Sequence, residues 1–208
     1  MASYSSIRYN FDPPKATTSA LIGTSVQKLI KTVTVSSGTS TVSFIHGSND
    51  VVFNDTYRAY LFKIIQLHVA TDGADFGFQG TTDGSNFTGI TNNSNYVQCI
   101  KEEDDDYEAL VYDQYYDIAN GTGIIKMWHN TGNDNDQNNS TELWIGNPSQ
   151  TSFFKPFWSH SCCTQSADSL NTPRMSGVLQ TTSAVTGIRF SLSTGNIDSA
   201  IIKLYGIE

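Results

Sequence analysis

Two stretches carry enough side-chain oxygen to hold a cation. Residues 102–106 read EEDDD, and Asp134, Asp136 and Asn138 recur at alternate positions in a later polar stretch. Hard oxygen ligands at such spacing suit calcium, but an EF-hand loop that began at Asp134 would need glycine and a bidentate glutamate where this chain has Asn139 and Ile145. We therefore read both stretches as solvated acidic loops and expect no bound metal. The four histidines, His46, His68, His129 and His160, sit in unrelated segments, with no HExxH pattern and no cysteine at metal-ligand spacing. No GxSxG elbow, phosphate-binding loop or dinucleotide fingerprint occurs. A carboxylate pair for glycoside hydrolysis meets only in the folded chain, so the sequence is silent on it. The expectation is a protein with neither catalytic activity nor cofactor.

The aromatic residues are more informative. In residues 124–130 and 141–146, alternation places Ile125 and Met127 inward with Leu143 and Ile145, which sends Trp128 and Trp144 to the opposite face. Two outward indoles on neighbouring strands could form a flat platform for a sugar ring. Alternatively a second sheet or another subunit covers them, the commoner fate of tryptophan. The same two readings apply to Phe153, Phe154, Phe157 and Trp158 around Pro156, a proline that points to a sheet edge. Phe87 and Ile90 interrupt a Gly/Thr/Asn-rich loop, residues 80–95, which is long for a hairpin and so is a candidate contact surface. Phe87, Trp128, Trp144 and Trp158 are thus the candidate contacts for a glycan or a protein partner.

Strands must position these residues. Residues 57–69, YRAYLFKIIQLHV, form the densest apolar run, with six of the seven odd positions apolar and Tyr60, Phe62 and Ile64 on the other face. This composition favours a central strand over a helix. Asp72-Gly73 then sets up a hairpin into residues 75–79, where Phe76 and Phe78 share a face. Residues 28–35 and 39–45 begin a meander through Ser36-Ser37-Gly38. Residues 187–193 and 200–206 close a last hairpin, with Ile188, Phe190 and Leu192 facing Ala200, Ile202 and Leu204. Residues 96–100 read as a short strand, 107–116 as a short helix or irregular strand, and 161–173 as a loop. About eight to ten strands at short spacing point to an all-β sandwich or jelly roll. Its expected core contains Phe44, Leu61, Ile65, Phe76, Phe78, Phe190, Ile202 and Leu204. Residues 1–27 scatter Tyr4, Ile7, Tyr9 and Phe11 around Pro13-Pro14 and read as an extended N-terminal arm, with residues 28–208 as a single domain.

Composition narrows the partners. With a net charge of −8 and a pI near 4.8, a main partner of nucleic acid or anionic lipid is not expected, because phosphate binding needs a Lys/Arg excess. No run of apolar residues is long enough for a membrane helix, and Asp12-Pro13-Pro14-Lys15 lies where a signal peptide needs its apolar core, so we expect a soluble protein made in the cytosol. Cys99 and the adjacent Cys162-Cys163 match neither a disulfide framework nor a zinc site and read as free thiols. Tyr112, Tyr115, Tyr116, Trp128, Trp144, Phe154 and Trp158 fall outside the alternating core pattern, which predicts a homo-oligomer that covers them.

The segments FNDTYRAYLFKIIQLHVATDGADFGFQ, residues 53–79, and GIRFSLSTGNIDSAIIKLYGIE, residues 187–208, resemble structural proteins of tailed bacteriophages, especially marine ones. They cover about a quarter of the chain. This sequence departs from the shared pattern at Arg58-Ala59, where an acidic pair is usual, at Val69, where proline is common, and at Ala200, where glycine is. The motifs mark turns and core positions. The resemblance therefore implies a virion location after synthesis in the host cytoplasm, and a structural role in a tail appendage or fibre. It also implies a trimer as the oligomer and contact with other virion proteins through the arm. A host-glycan receptor module and a head decoration protein are the alternatives.

Overall fold

The computed structural model describes residues 27–208. The expected arm, residues 1–27, lies outside them except for Gln27, which opens the first strand. The described residues form fourteen strands and no helix, more strands than the spacing suggested. These are β1 (Gln27–Val35), β2 (Thr41–Ile45), β3 (Ala59–Val69), β4 (Ala74–Thr81), β5 (Asn92–Glu102), β6 (Glu108–Tyr112), β7 (Ile118–Gly121), β8 (Ile125–Thr131), β9 (Asn139–Gly146), β10 (Lys155–Thr164), β11 (Ser169–Asn171), β12 (Arg174–Leu179), β13 (Gly187–Leu192) and β14 (Ile197–Ile207).

The fold is an all-β sandwich of two antiparallel sheets. One has the order β2-β13-β4-β8, and the other begins β1-β14-β3-β9. Both orders match position by position in sequence neighbours, β1 with β2, β14 with β13, β3 with β4 and β9 with β8, which is the double-sheet plan of a jelly roll. Two insertions enlarge only the second sheet. The chain between β4 and β8 supplies β5 to β7, and that between β9 and β13 supplies β10 to β12, which extend the sheet beyond β9 to ten strands.

This order corrects the expected hairpins. β3 pairs with β14 and β9, whereas β4 pairs with β13 and β8, so the Asp72-Gly73 turn carries the chain between sheets. The connections β1 to β2, β8 to β9 and β13 to β14 do the same. A short turn can bring two edges together or fold two faces together, and side-chain alternation is identical in both cases.

Between the sheets lies an aromatic centre. Phe62 of β3 meets Phe44 of β2 at 5.2 Å and Phe190 of β13 at 5.1 Å between ring centroids, both edge-on. Phe76 of β4 lies parallel to Phe190 at 5.9 Å and to Trp128 of β8 at 4.5 Å. Gly77 allows β8 this close, since a Cβ there would strike the Ile125 carbonyl oxygen. Of the expected core, Phe44, Phe76, Phe78, Phe190, Ile202 and Leu204 are buried in it. Ile65 is only half-buried, and Leu61 is sealed on the outer side of β3. In this strand Tyr60, Phe62 and Ile64 point inward. Gln66 then takes a φ of 50°, the register with β9 shifts, and Leu67 and Val69 take over inside.

Three further expectations change. Residues 108–112 are a strand, and the supposed loop 161–173 contains the end of β10 and all of β11. β10 is not an edge, because it pairs with β9 on one side and with β11 and β12 on the other. Pro156 is tolerated there because the ladder with β9 starts only at Phe157.

Candidate binding groove

The outer face of the ten-stranded sheet carries the exposed aromatic side chains that strand register can align. β9 and β10 set Trp144 opposite Trp158, and the two indoles stack with ring planes 5° apart and centroids at 5.7 Å. Cross-strand partners continue this row through Leu61 of β3 and Tyr205 of β14 to Leu29 of β1. Trp158 remains 45% exposed, so the stack fixes the ring without hiding it. One step along the strands the row turns polar. Lys63 pairs with Glu142 at 3.1 Å, Glu142 lies opposite His160, and His160 lies opposite Arg174.

Three cavities lie side by side over these rows. One of about 480 Å³ has Glu142, His160 and Cys162 in its wall. A second of about 610 Å³ lies between Trp158, His160, Arg174 and Asn95, and a third of about 470 Å³ runs past Asn95 and Ser176 to Tyr112 and Asp117. His160 borders the first two, and Asn95 and Ser176 border the last two, so the cavities form one groove across the strands. In its middle section the Asn95 Oδ1 accepts hydrogen bonds from the Ser176 backbone N–H at 3.0 Å and hydroxyl at 2.9 Å, which fixes the amide and leaves its NH₂ free to donate. The Arg174 guanidinium has no ion pair or hydrogen bond among the described residues, and no carboxylate lines this section.

Neither a family model, nor a curated protein, nor a solved structure matches this chain. The groove must be read from its own residues.

The four residues singled out from the sequence part company. Trp144 and Trp158 come together on the groove face. Trp128 does not join them: it is fully buried against Phe76, which corrects its outward placement. A bulge is the reason. Phe76 pairs with Trp128 and Gly77 with Lys126, so Met127 is an extra residue and both Met127 and Trp128 turn inward. Phe87 is also buried, under the Arg189 guanidinium 4.4 Å above its ring, on the far sheet. Sequence reasoning missed His160, Arg174 and Asn95. Alternation along β10 aligns Trp158 with His160, but reading residues 161–173 as a loop gives no strand to set Arg174 beside them.

Between the sheets, where β5 and β11 face β8, a buried polar cluster stands beside the apolar core. His129 Nε2 donates to Gln98 Oε1 at 2.8 Å, Asn171 Nδ2 donates to the same oxygen at 2.6 Å, and Gln98 Nε2 donates to Asp113 at 2.9 Å. Tyr116 stacks on the imidazole at 3.7 Å. Burial pulls the His129 pKa down to about 4, so the ring is neutral at pH 7. Burial also raises the Tyr96 hydroxyl and the Cys163 thiol, while Cys99 and Cys162 lie exposed as free thiols. Among the described residues no three His, Cys, Asp or Glu side chains stand together as a metal ion would need. Residues 102–106 form the β5–β6 turn, where Lys101 pairs with Asp105 and Glu108.

Proposed function

We propose that this chain is a non-enzymatic structural component of a bacteriophage particle, of the tail-appendage or fibre kind, that assembles with copies of itself through the β5–β6 edge of its larger sheet. The observation that carries the assembly is the exposure at that edge. Leu110 is 78% exposed and Tyr115 82%, beside Tyr112 and Leu170, and among the described residues β6 pairs with β5 alone. A strand with a free backbone edge and uncovered apolar side chains is a template for pairing with another chain. The virion context rests on the resemblance. Its two segments supply β3, β4, β13 and β14, which pair as β13 with β4 in the middle of the smaller sheet and β14 with β3 in the larger one, so the resemblance falls on the jelly-roll strands and on none of the inserted ones.

Native mass spectrometry of the full chain tests the assembly. A homo-oligomer is expected, a trimer by the resemblance, and Leu110→Lys together with Tyr115→Lys should leave a folded monomer. A wild-type monomer at micromolar concentration would defeat the assembly reading. A particle reconstruction tests the location, with tail density expected and density on the head surface favouring the decoration alternative.

A further inference from the structure

We infer that the groove on the outer face of the ten-stranded sheet is a binding cleft for an extended oligosaccharide bearing a carboxylated sugar, with Trp158 as the stacking platform and Arg174 as the partner of the carboxylate. Leu110 and Tyr115 take no part in this site, although its far end reaches Tyr112 at the end of β6.

The shape argues for an extended ligand. The three cavities run in line across several strands, and the central one of about 610 Å³ alone is large enough for a ligand-sized group. The chemistry argues for sugar. A pyranose has an apolar C–H face and a rim of hydroxyls. Trp158 offers a half-exposed indole whose other side is held by Trp144, so the platform is rigid before a ligand arrives. Around it stand the partners that a hydroxyl rim needs: the free NH₂ of Asn95 and the His160 ring, and the Ser176 hydroxyl oxygen, which has given its hydrogen to Asn95 and can accept. A peptide strand is disfavoured here. The backbone groups of β10 and β12 are engaged in the sheet, so this face offers no ladder on which an added strand could form.

Charge selects the kind of sugar. The chain has a net charge of −8, yet the central section of the groove contains Arg174 and His160 and no carboxylate. A guanidinium without a partner beside an aromatic platform matches a sugar carboxylate, which it can grip with two parallel hydrogen bonds.

A glycan array with uronic, sialic and pyruvylated sugars beside neutral oligosaccharides tests this on the full chain. Acidic glycans should be retained. Trp158→Ala should abolish retention, and Arg174→Gln should weaken it about ten-fold, the loss of one charge-assisted contact. Ser176→Trp, which fills the groove and keeps Trp158, should abolish retention without a change in thermal unfolding. Retention of neutral glycans alone would overturn the charge assignment. No retained glycan, or signals unchanged in all three variants, would overturn the cleft.

Discussion

The interior of this sandwich is built in two ways. Under β1 to β4, β13 and β14 it is aromatic, with Phe44, Phe62, Phe76 and Phe190 in mutual contact. Where β5 and β11 face β8 it is polar, with Gln98, His129, Gln165, Ser169 and Asn171 all buried, while Phe157, Met175 and Leu179 of β10 and β12 still join the apolar core. The aromatic centre is held by burial, which is large and has little directional demand. The polar region is held by hydrogen bonds that work only at fixed geometry, and some of its groups stay unmatched: Tyr96 Oη, His129 Nδ1 and Asn171 Oδ1 have no hydrogen-bond partner among the described residues. The contrast separates two tasks. The first region makes the fold, and the second ties β5 and β11 to each other and to β8 across the sandwich.

The contrast is tested most directly at its aromatic end. Phe62 is fully buried and touches rings from β2 and β13, so Phe62→Ala should cost about 3–5 kcal/mol. Urea unfolding followed by far-UV circular dichroism measures it. A cost below about 1 kcal/mol would mean that the centre collapses around the gap and is not close-packed.

The polar end should respond to pH. His129 is held near 4 in the folded chain and returns to about 6.5 when unfolded, so between these values the unfolded state binds more protons. Stability from this residue is complete above pH 6.5 and is lost as pH falls toward 4, by about 3 kcal/mol. Asp75 and Asp113 oppose the depression and Lys126 adds to it, but burial dominates. Urea midpoints at pH 7, 6 and 5 should fall for the wild type and fall less for His129→Gln. Parallel slopes would show that the imidazole is hydrated.

These two ends were unequally legible in the sequence. Alternation in residues 188–192 and 200–204 found the facing apolar sets, because a residue that points inward does so in a hairpin or an arch alike. It could not say which sheet each strand joins. It also failed where the backbone breaks phase, at Gln66 and at the β8 bulge that buries Trp128. The polar interior was invisible for a different reason. Gln98, His129 and Asn171 look like surface residues until strands distant in sequence cover them, and Arg174 gains meaning only when β12 sets it beside His160.

The smallest effect belongs to the groove wall, where stability and recognition should separate. Lys63 and Glu142 form a 3.1 Å ion pair, but their side chains are 33% and 47% exposed, so solvent screens the attraction. Glu142→Gln should therefore change the unfolding free energy by less than about 1 kcal/mol. Its effect on binding should be opposite to that of Arg174→Gln. Glu142 lies opposite His160 and is the carboxylate nearest in register to Arg174 on this row, so removing its charge makes the groove more positive. Retention of acidic glycans should then rise by about two-fold, as expected for one exposed charge at this range. A loss of retention in Glu142→Gln would instead mean that the carboxylate itself holds the ligand, through sugar hydroxyls, and would move the anion away from this stretch of the groove.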